Sequence, residues 1–371
     1  MTRLWGGIYN NKRLLSQQQH CYEYGRKSWD MAKSVTNLGD VAAAAGVSKS
    51  TVSRVLNNKL GNGFSVSVDV RQRVLKIAEQ LRYRPNLMAR GLTNQRTRMI
   101  SVLGGSHALS DMGNIYQTVI NSITNVLDNA PGGFDVTVDM SQHAPDVSEL
   151  PAWKIDGAII LARCTSQTIE EIKHSNAPYV VINGPSDSSG SSVSPDDIGG
   201  TELAVKHLVQ LGHTRIAYAS APLRHLAGHS SLKDRHDTYV KELAACGLTP
   251  IKGHEEPFAS AENFLKSAVI AQKATAVIAY GHMSALNIMQ AAHTLGIAIP
   301  RELSLIAFCD EYAAGIMSPS LTFIDLGSRE MGLIAAEMLL EKIENPDQAE
   351  LRNIKIQEKL VFRDTTARPC R

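Results

Sequence analysis

Cysteine is scarce: five in 371 residues, Cys21, Cys164, Cys246, Cys309 and Cys370, with no C-x-x-C pair. That excludes a dense disulfide framework and a structural zinc site, and it fits a reducing compartment, so a cytoplasmic location is expected. No apolar run approaches the ~20 residues that span a bilayer, so no membrane partner is expected. Lys12-Arg13 is not followed by an apolar stretch, so no secretory signal is expected either. Catalytic signatures are missing too. There is no G-x-S-x-G, no Walker phosphate loop and no G-x-G-x-x-G after a strand, and Gly104-Gly105-Ser106 is too short to be diagnostic. His225, His229 and His236 do not have the spacing of a zinc site. No catalytic residue, cofactor or metal is therefore assigned, and an enzyme is not expected. No repeat of fixed period points to a solenoid.

What is present is an ordinary globular composition, 43% hydrophobic and 20% charged, long enough for two or three domains at roughly 100–200 residues each. The net charge of +2 conceals an asymmetry. Residues 1–35 hold 6 Lys/Arg and 2 Asp/Glu, residues 36–98 hold 11 and 3, and the remaining 273 hold 21 and 31. A compact basic module thus precedes a large acidic body, and a polyanion is the first partner to consider for it.

Residues 1–35 show neither helical nor strand periodicity, and Met31 offers a second start. They are expected to be an extension, disordered or outside the translated protein. Residues 37–93 predict four short helices. Asn37 with Asp40 forms a capping-box-like pair ahead of the first, and Gly46 stops it. Ser48 caps a second helix with Val52, Val55 and Leu56 on one face. Ser67 caps a third carrying Val70, Val74, Ile77, Ala78 and Leu81. A Gly- and Asn-rich loop separates the second from the third. Tyr83-Arg84-Pro85 ends the third, and a short fourth covers 86–92. From residue 99 onward, strands predicted at 99–103, 134–138, 157–161, 179–182, 215–219, 276–280 and 304–308 alternate with helices near 114–128, 166–175, 199–211, 230–245, 261–273, 283–295 and 328–344. This alternation implies parallel sheets flanked by helices, in two lobes with a ligand cleft at the strand carboxyl ends.

Ala42–Ala45, Gly46, Val47, Ser48 and Val52 are laid out as a helix-turn-helix, whose second helix can enter the DNA major groove. The run Asp40-Val41-Ala42, Ala45-Gly46-Val47-Ser48 and Thr51-Val52-Ser53-Arg54-Val55-Leu56-Asn57 resembles the DNA-binding signature of the lactose-repressor/galactose-repressor family of bacterial transcription regulators. Arg71-Gln72-Arg73-Val74 and the stretch from Tyr83 to Leu92 continue the resemblance. It implies base reading by Lys49, Ser50 and Arg54, and phosphate contacts by Thr51, Ser53 and Asn57. It places Asn86, Ala89 and Arg90 on a minor-groove hinge helix, with Leu92 as the wedge driven into a base step.

The resemblance extends through Asp196-Asp197, Gly200, His207-Leu208 and the run from Leu211 to Ala217. It continues at Pro300 to Phe308, Pro319, Leu321-Thr322 and Met331-Gly332, and ends on a strand within Leu360 to Pro369. It implies a helix-turn-helix domain at 36–84, a hinge helix and linker at 85–97, and a two-lobed, periplasmic-binding-protein-like effector and dimerisation core at 98–371. No heptad tail follows, so a homodimer on a near-palindromic double-stranded operator is expected. The implied effector residues are Tyr116, Arg235 and Phe258. Departures accompany them: Gly281-His282 replaces the usual Asn-Asp pair, and Cys309 precedes Asp310 where two carboxylates are usual. His282, Cys309 and Asp310 join the candidate site. The effector expected is a sugar or sugar derivative, and the lost carboxylates favour an acidic or phosphorylated one held by Arg235. The competing readings are a solute-binding protein and a sugar-modifying enzyme, neither of which would bind DNA.

Overall fold

The computed structural model describes residues 36–56, 65–83, 97–104, 115–138, 155–162, 166–174, 176–184, 189–220, 229–251 and 260–370. They fall into two compact units, one ending at Arg90 and the other beginning at Gly91.

The first unit contains three helices, α1 (Leu38–Ala45), α2 (Lys49–Leu56) and α3 (Val68–Gln80). The local sequence sets each boundary. Asn37 Oδ1 accepts from the Gly39 and Asp40 amides at 2.7 and 3.3 Å, and Asp40 Oδ2 accepts from the Asn37 amide at 2.8 Å. This reciprocal pair fixes the start of α1. Gly46, at φ 65°, takes the left-handed turn that ends it. Ser48 Oγ accepts from the Thr51 amide, and Ser67 Oγ from the Val70 amide. Val41, Ala42, Ala45, Val52, Val55, Val74 and Ala78 close a small core, and Arg73 Nε donates to the Ala45 carbonyl at the end of α1. The predicted fourth helix lies outside the described residues.

The second unit is α/β. In chain order it runs β1 (Met99–Leu103), α4 (Ile115–Asn129), β2 (Asp135–Val138), β3 (Gly157–Leu161), α5 (Ser166–His174), β4 (Tyr179–Ile182), β5 (Ser191–Pro195), α6 (Asp197–Gln210), β6 (Ile216–Ala219), α7 (Ser230–Ala245), α8 (Ala261–Phe264, continuing as a π-helix over Leu265–Ala271), β7 (Ala276–Ala279), α9 (His282–Leu295), β8 (Ser304–Cys309), α10 (Glu311–Gly315), β9 (Thr322–Asp325), α11 (Ser328–Glu344), β10 (Asn353–Ile356) and β11 (Lys359–Val361).

Two sheets divide these strands. One is parallel throughout, in the order β10-β5-β4-β3-β1-β2. The other, β11-β9-β8-β7-β6, is parallel except that β11 runs antiparallel to β9. The chain crosses between lobes three times, at 195–197, 325–328 and 356–359. Helix α11 returns to pack on α4 and on strands of the first sheet.

Hydrophobic runs foretold the central strands, but β5, β9 and β10 escaped. Ser191–Pro195 is mostly serine, and Asn353–Ile356 is an edge strand exposed at two of its four residues. Helix α6 begins two residues earlier than predicted because the Asp196 carboxylate caps it, accepting from the Gly199 amide at 3.2 Å. The predicted terminal strand is confined to Lys359–Val361.

Candidate DNA-reading helix and effector cleft

In the first unit, Lys49, Ser50 and Arg54 are exposed on α2 at successive turns, while Val52 and Val55 hold its other side in the core. The Thr51 hydroxyl and the Ser50 hydroxyl both pair with Ser48 Oγ, at 2.8 and 2.7 Å. Ser53 is half-buried beside them. The helix opens with a lysine and contains no acid, so its free amides and Lys49 present positive potential together. Asn57, Asn86, Ala89, Arg90 and Leu92 lie outside the described residues.

In the second unit the strand ends assemble a polar cleft between the lobes. From the first lobe come Tyr116 and Thr118 on α4 and Asn183 just past β4. Asn183 sits at φ 55°, a region asparagine tolerates better than most residues. From the second lobe come His229 and Ser231 at the start of α7, Tyr280 past β7 and Asp310 past β8. The Asn183 amide donates to Tyr116 Oη at 3.0 Å. His229 Nε2 donates to the Asn183 carbonyl at 2.6 Å, and Nδ1 pairs with Ser231 Oγ at 2.6 Å, which in turn pairs with Tyr280 Oη at 2.6 Å. Thr118 Oγ1 donates to Asp310 Oδ2 at 2.7 Å, a second tie across the lobes, while Asp310 Oδ1 caps α10 through the Ala313 amide. Burial pushes the Tyr116 and Tyr280 phenols above their ordinary range, so both stay protonated as donors.

Arg235 lies beneath this network and is buried with 4% exposure. Its Nε donates to Asp197 Oδ1 at 2.6 Å, and Nη1 donates to the Tyr280 carbonyl at 2.6 Å. The rings of Tyr280 and Phe308 cover its guanidinium, 4.7 and 4.0 Å from their centroids. Burial is the largest influence and opposes its charge, but the Asp197 carboxylate together with Tyr280, Glu358 and Tyr218 more than offsets it and keeps the guanidinium protonated. The expected two-pronged fork for an anionic effector is therefore not on offer in this arrangement, because Asp197 already neutralises the cation. Cys309 likewise contributes no exposed surface. It is fully buried in the second lobe's core, and burial together with the neighbouring carboxylates pushes its thiol well up. His282 is half-buried at the start of α9, and Phe258 lies outside the described residues.

A cavity of about 640 Å³ opens between Thr118 of the first lobe and the second and third crossings. It has the size of a small-molecule site. Asp310, Glu311, Asp325 and Glu330 line it against Arg329 and Lys359, an excess of negative charge. Of the expected effector residues among the described ones, only Asp310 lines it. Asn183, His229, Ser231 and Tyr280 went unassigned in the sequence, although their positions after strands or at a helix start were a usable signal. Among the described residues no group of His, Cys, Asp or Glu could hold a metal ion, and no helix is long and apolar enough to cross a membrane.

Comparison with known proteins matches residues 37–86 to the family described as bacterial regulatory proteins, lacI family, and residues 205–366 to the periplasmic binding protein-like domain. The helix-turn-helix transcriptional regulator reg1 of Streptomyces lividans is 30% identical over 358 residues, covering 90% of this chain and 97% of that protein. Among solved structures, the lac repressor dimer bound to operator and an anti-inducer is similar with a TM-score of 0.73 at 27% identity, covering 90% of this chain and 99% of that one. A LacI-family regulator from Enterococcus faecium with bound ribose shares the fold at 23% identity and a TM-score of 0.62, covering 73% and 99%. These relatives are regulators rather than enzymes. With its capped helix-turn-helix ahead of a two-lobed core, the chain belongs to the lacI family of bacterial regulatory proteins and is a DNA-binding transcription regulator.

Proposed function

We propose that this protein is a homodimeric repressor that binds a near-palindromic operator and whose operator affinity is set by a neutral sugar or sugar derivative in the inter-lobe cleft. Residues 36–84 form the DNA-binding domain, 85–97 the hinge, 98–371 the effector and dimerisation core, and 1–35 an extension. Lys49, Ser50 and Arg54 read bases, and Thr51, Ser53 and Asn57 contact phosphates. Asn86, Ala89 and Arg90 enter the minor groove, and Leu92 wedges a base step. Tyr116, Phe258, His282 and Asp310 contact the effector, while Arg235 and Cys309 support them from below. The observation that carries the neutral effector is an inter-lobe cavity richer in carboxylates than in cations, with the one expected effector arginine, Arg235, already compensated by Asp197. An anion entering such a low-dielectric site meets like charge, whereas sugar hydroxyls donate well to carboxylates such as Asp310. The ribose bound by the Enterococcus relative is consistent with this chemistry.

The test is a thermal-shift screen of neutral sugars against sugar phosphates and sugar acids, followed by an anisotropy titration of DNA from upstream of the gene with and without the hit. Stabilisation by a neutral sugar that also alters DNA affinity is expected. Stabilisation by anionic sugars alone would overturn the neutral reading, and failure to bind that DNA specifically would overturn repression at this site.

A further inference from the structure

Each lobe crossing carries a carboxylate: Asp196 and Asp197 on the first, Asp325 on the second and Glu358 on the third. Three of them are engaged. Asp196 caps α6, Asp197 pairs with Arg235, and Asp325 Oδ1 accepts from the Gly327 amide at 3.0 Å. Glu358 differs. It is 2% exposed, and neither carboxyl oxygen has a hydrogen-bond partner. Its carboxyl is packed against Gly200 on α6, so closely that a Cβ at that glycine would lie 1.5 Å from Oε2, with Ile324 of β9 alongside. Only a residue without a side chain at position 200 leaves this space.

We propose that Glu358 couples the arrangement of the two lobes to the uptake of a proton. The groups acting on it are Arg235 of α7, Asp196 and Asp197 at the first crossing, and Asp325 at the second. Burial pushes its carboxyl well above the ordinary carboxylate range. Arg235 pulls it back, and the three aspartates push it further up. In the arrangement described, Glu358 is therefore the neutral acid. An ionised carboxylate without a partner cannot be kept in a dry pocket beside other carboxylates. Loss of the proton must draw the third crossing toward water or toward Arg235, whose charge Asp197 would then share. Because the crossing is one of three connections between the lobes, its displacement changes how they meet. The consequence for the operator rests on the regulator reading above.

Three measurements on the full-length chain test this. The first is difference infrared spectroscopy between the wild type and Glu358→Gln, an isosteric stand-in for the neutral acid, at neutral pH. A protonated-carboxyl band lost in the variant is expected, and its absence from the wild type would overturn the proposal. The second is small-angle scattering of both proteins across the pH range from mildly acidic to alkaline. The wild type should change its radius of gyration as pH rises while Glu358→Gln keeps the acid-form value. A variant that follows the wild type would overturn the coupling. Urea unfolding of both proteins over the same pH range should show the ratio of wild-type to variant folding constants falling by up to about tenfold per pH unit, because the folded acid retains one proton that the unfolded chain has released. A parallel titration with upstream DNA separates the readings. A chain that fails to bind DNA at any pH counts against the regulator reading, while the scattering result still decides the coupling.

Discussion

The Asp197–Arg235 pair shows how one residue's burial fixes its role. At 3% and 4% exposure the two charges have left water, and removing one partner strands the other. Asp197→Ala should therefore destabilise the protein by about 3–5 kcal/mol, as for other broken buried pairs. Urea unfolding of both single variants and the double variant checks this, and a double variant no more stable than Asp197→Ala would show that the pair is not the source. His213 supplies a pH dependence. Its Nδ1 pairs with Thr275 Oγ1 at 2.8 Å, and its Nε2 with the Ala367 carbonyl at 2.8 Å and Ser304 Oγ at 3.0 Å, joining the C-terminal segment to the second lobe. Burial pushes the imidazole below its ordinary 6.5, although the Ala367 carbonyl partly holds it up. The folded state therefore binds fewer protons than the unfolded one. The stability this imidazole contributes is present above about pH 6.5 and is lost as pH falls toward its depressed folded value. Melting curves on the acid side should be flatter for His213→Gln, and an unchanged slope would assign the acid sensitivity elsewhere.

At the scale of the element, α1 and α2 were legible because their ends are written in side chains. Asn37, Asp40, Gly46 and Ser48 each make the contact their type predicts. Asn37→Ala should cost about 1 kcal/mol of stability in the DNA-binding unit, since it removes the acceptor for two amides. Lys49→Ala should cost about 1–3 kcal/mol on the operator and less on random DNA if it reads a base. An equal loss on both would make it a phosphate contact. The second unit's central strands were equally legible, because a strand buried on both faces is a continuous apolar run such as Gly157–Leu161. What the sequence hid is what depends on distant partners. Arg235 looked like an available cation until the fold brought Asp197, 38 positions away, against it. Glu358 drew no reading from its neighbours in sequence, and its burial depends on the room that Gly200, far away in the chain, leaves for it. Local pattern carries no information about either meeting.

At the scale of the whole molecule, the second lobe leaves large apolar side chains exposed on or just past two helices that follow paired strands. Met283 and Leu286 on α9 are 38% and 44% exposed, and Tyr312 on α10 and Ile316 just after it are 59% and 68% exposed. Because β7 and β8 are neighbours and parallel, both helices begin at the same edge of the sheet. Large apolar side chains left in water are candidates for an association surface. The homodimer proposed above would give such a surface its occupant, since a symmetric dimer presents two reading helices to two half-sites. Leu286→Asp combined with Ile316→Asp should convert the dimer to a monomer in sedimentation experiments without lowering the melting temperature of the core, because neither side chain is buried in the protomer. Operator affinity should then fall by roughly 10²–10⁴-fold, the advantage of two linked half-site contacts over one. A variant that stays dimeric would move the interface elsewhere. A monomer that retains full operator affinity would mean that one reading helix is sufficient.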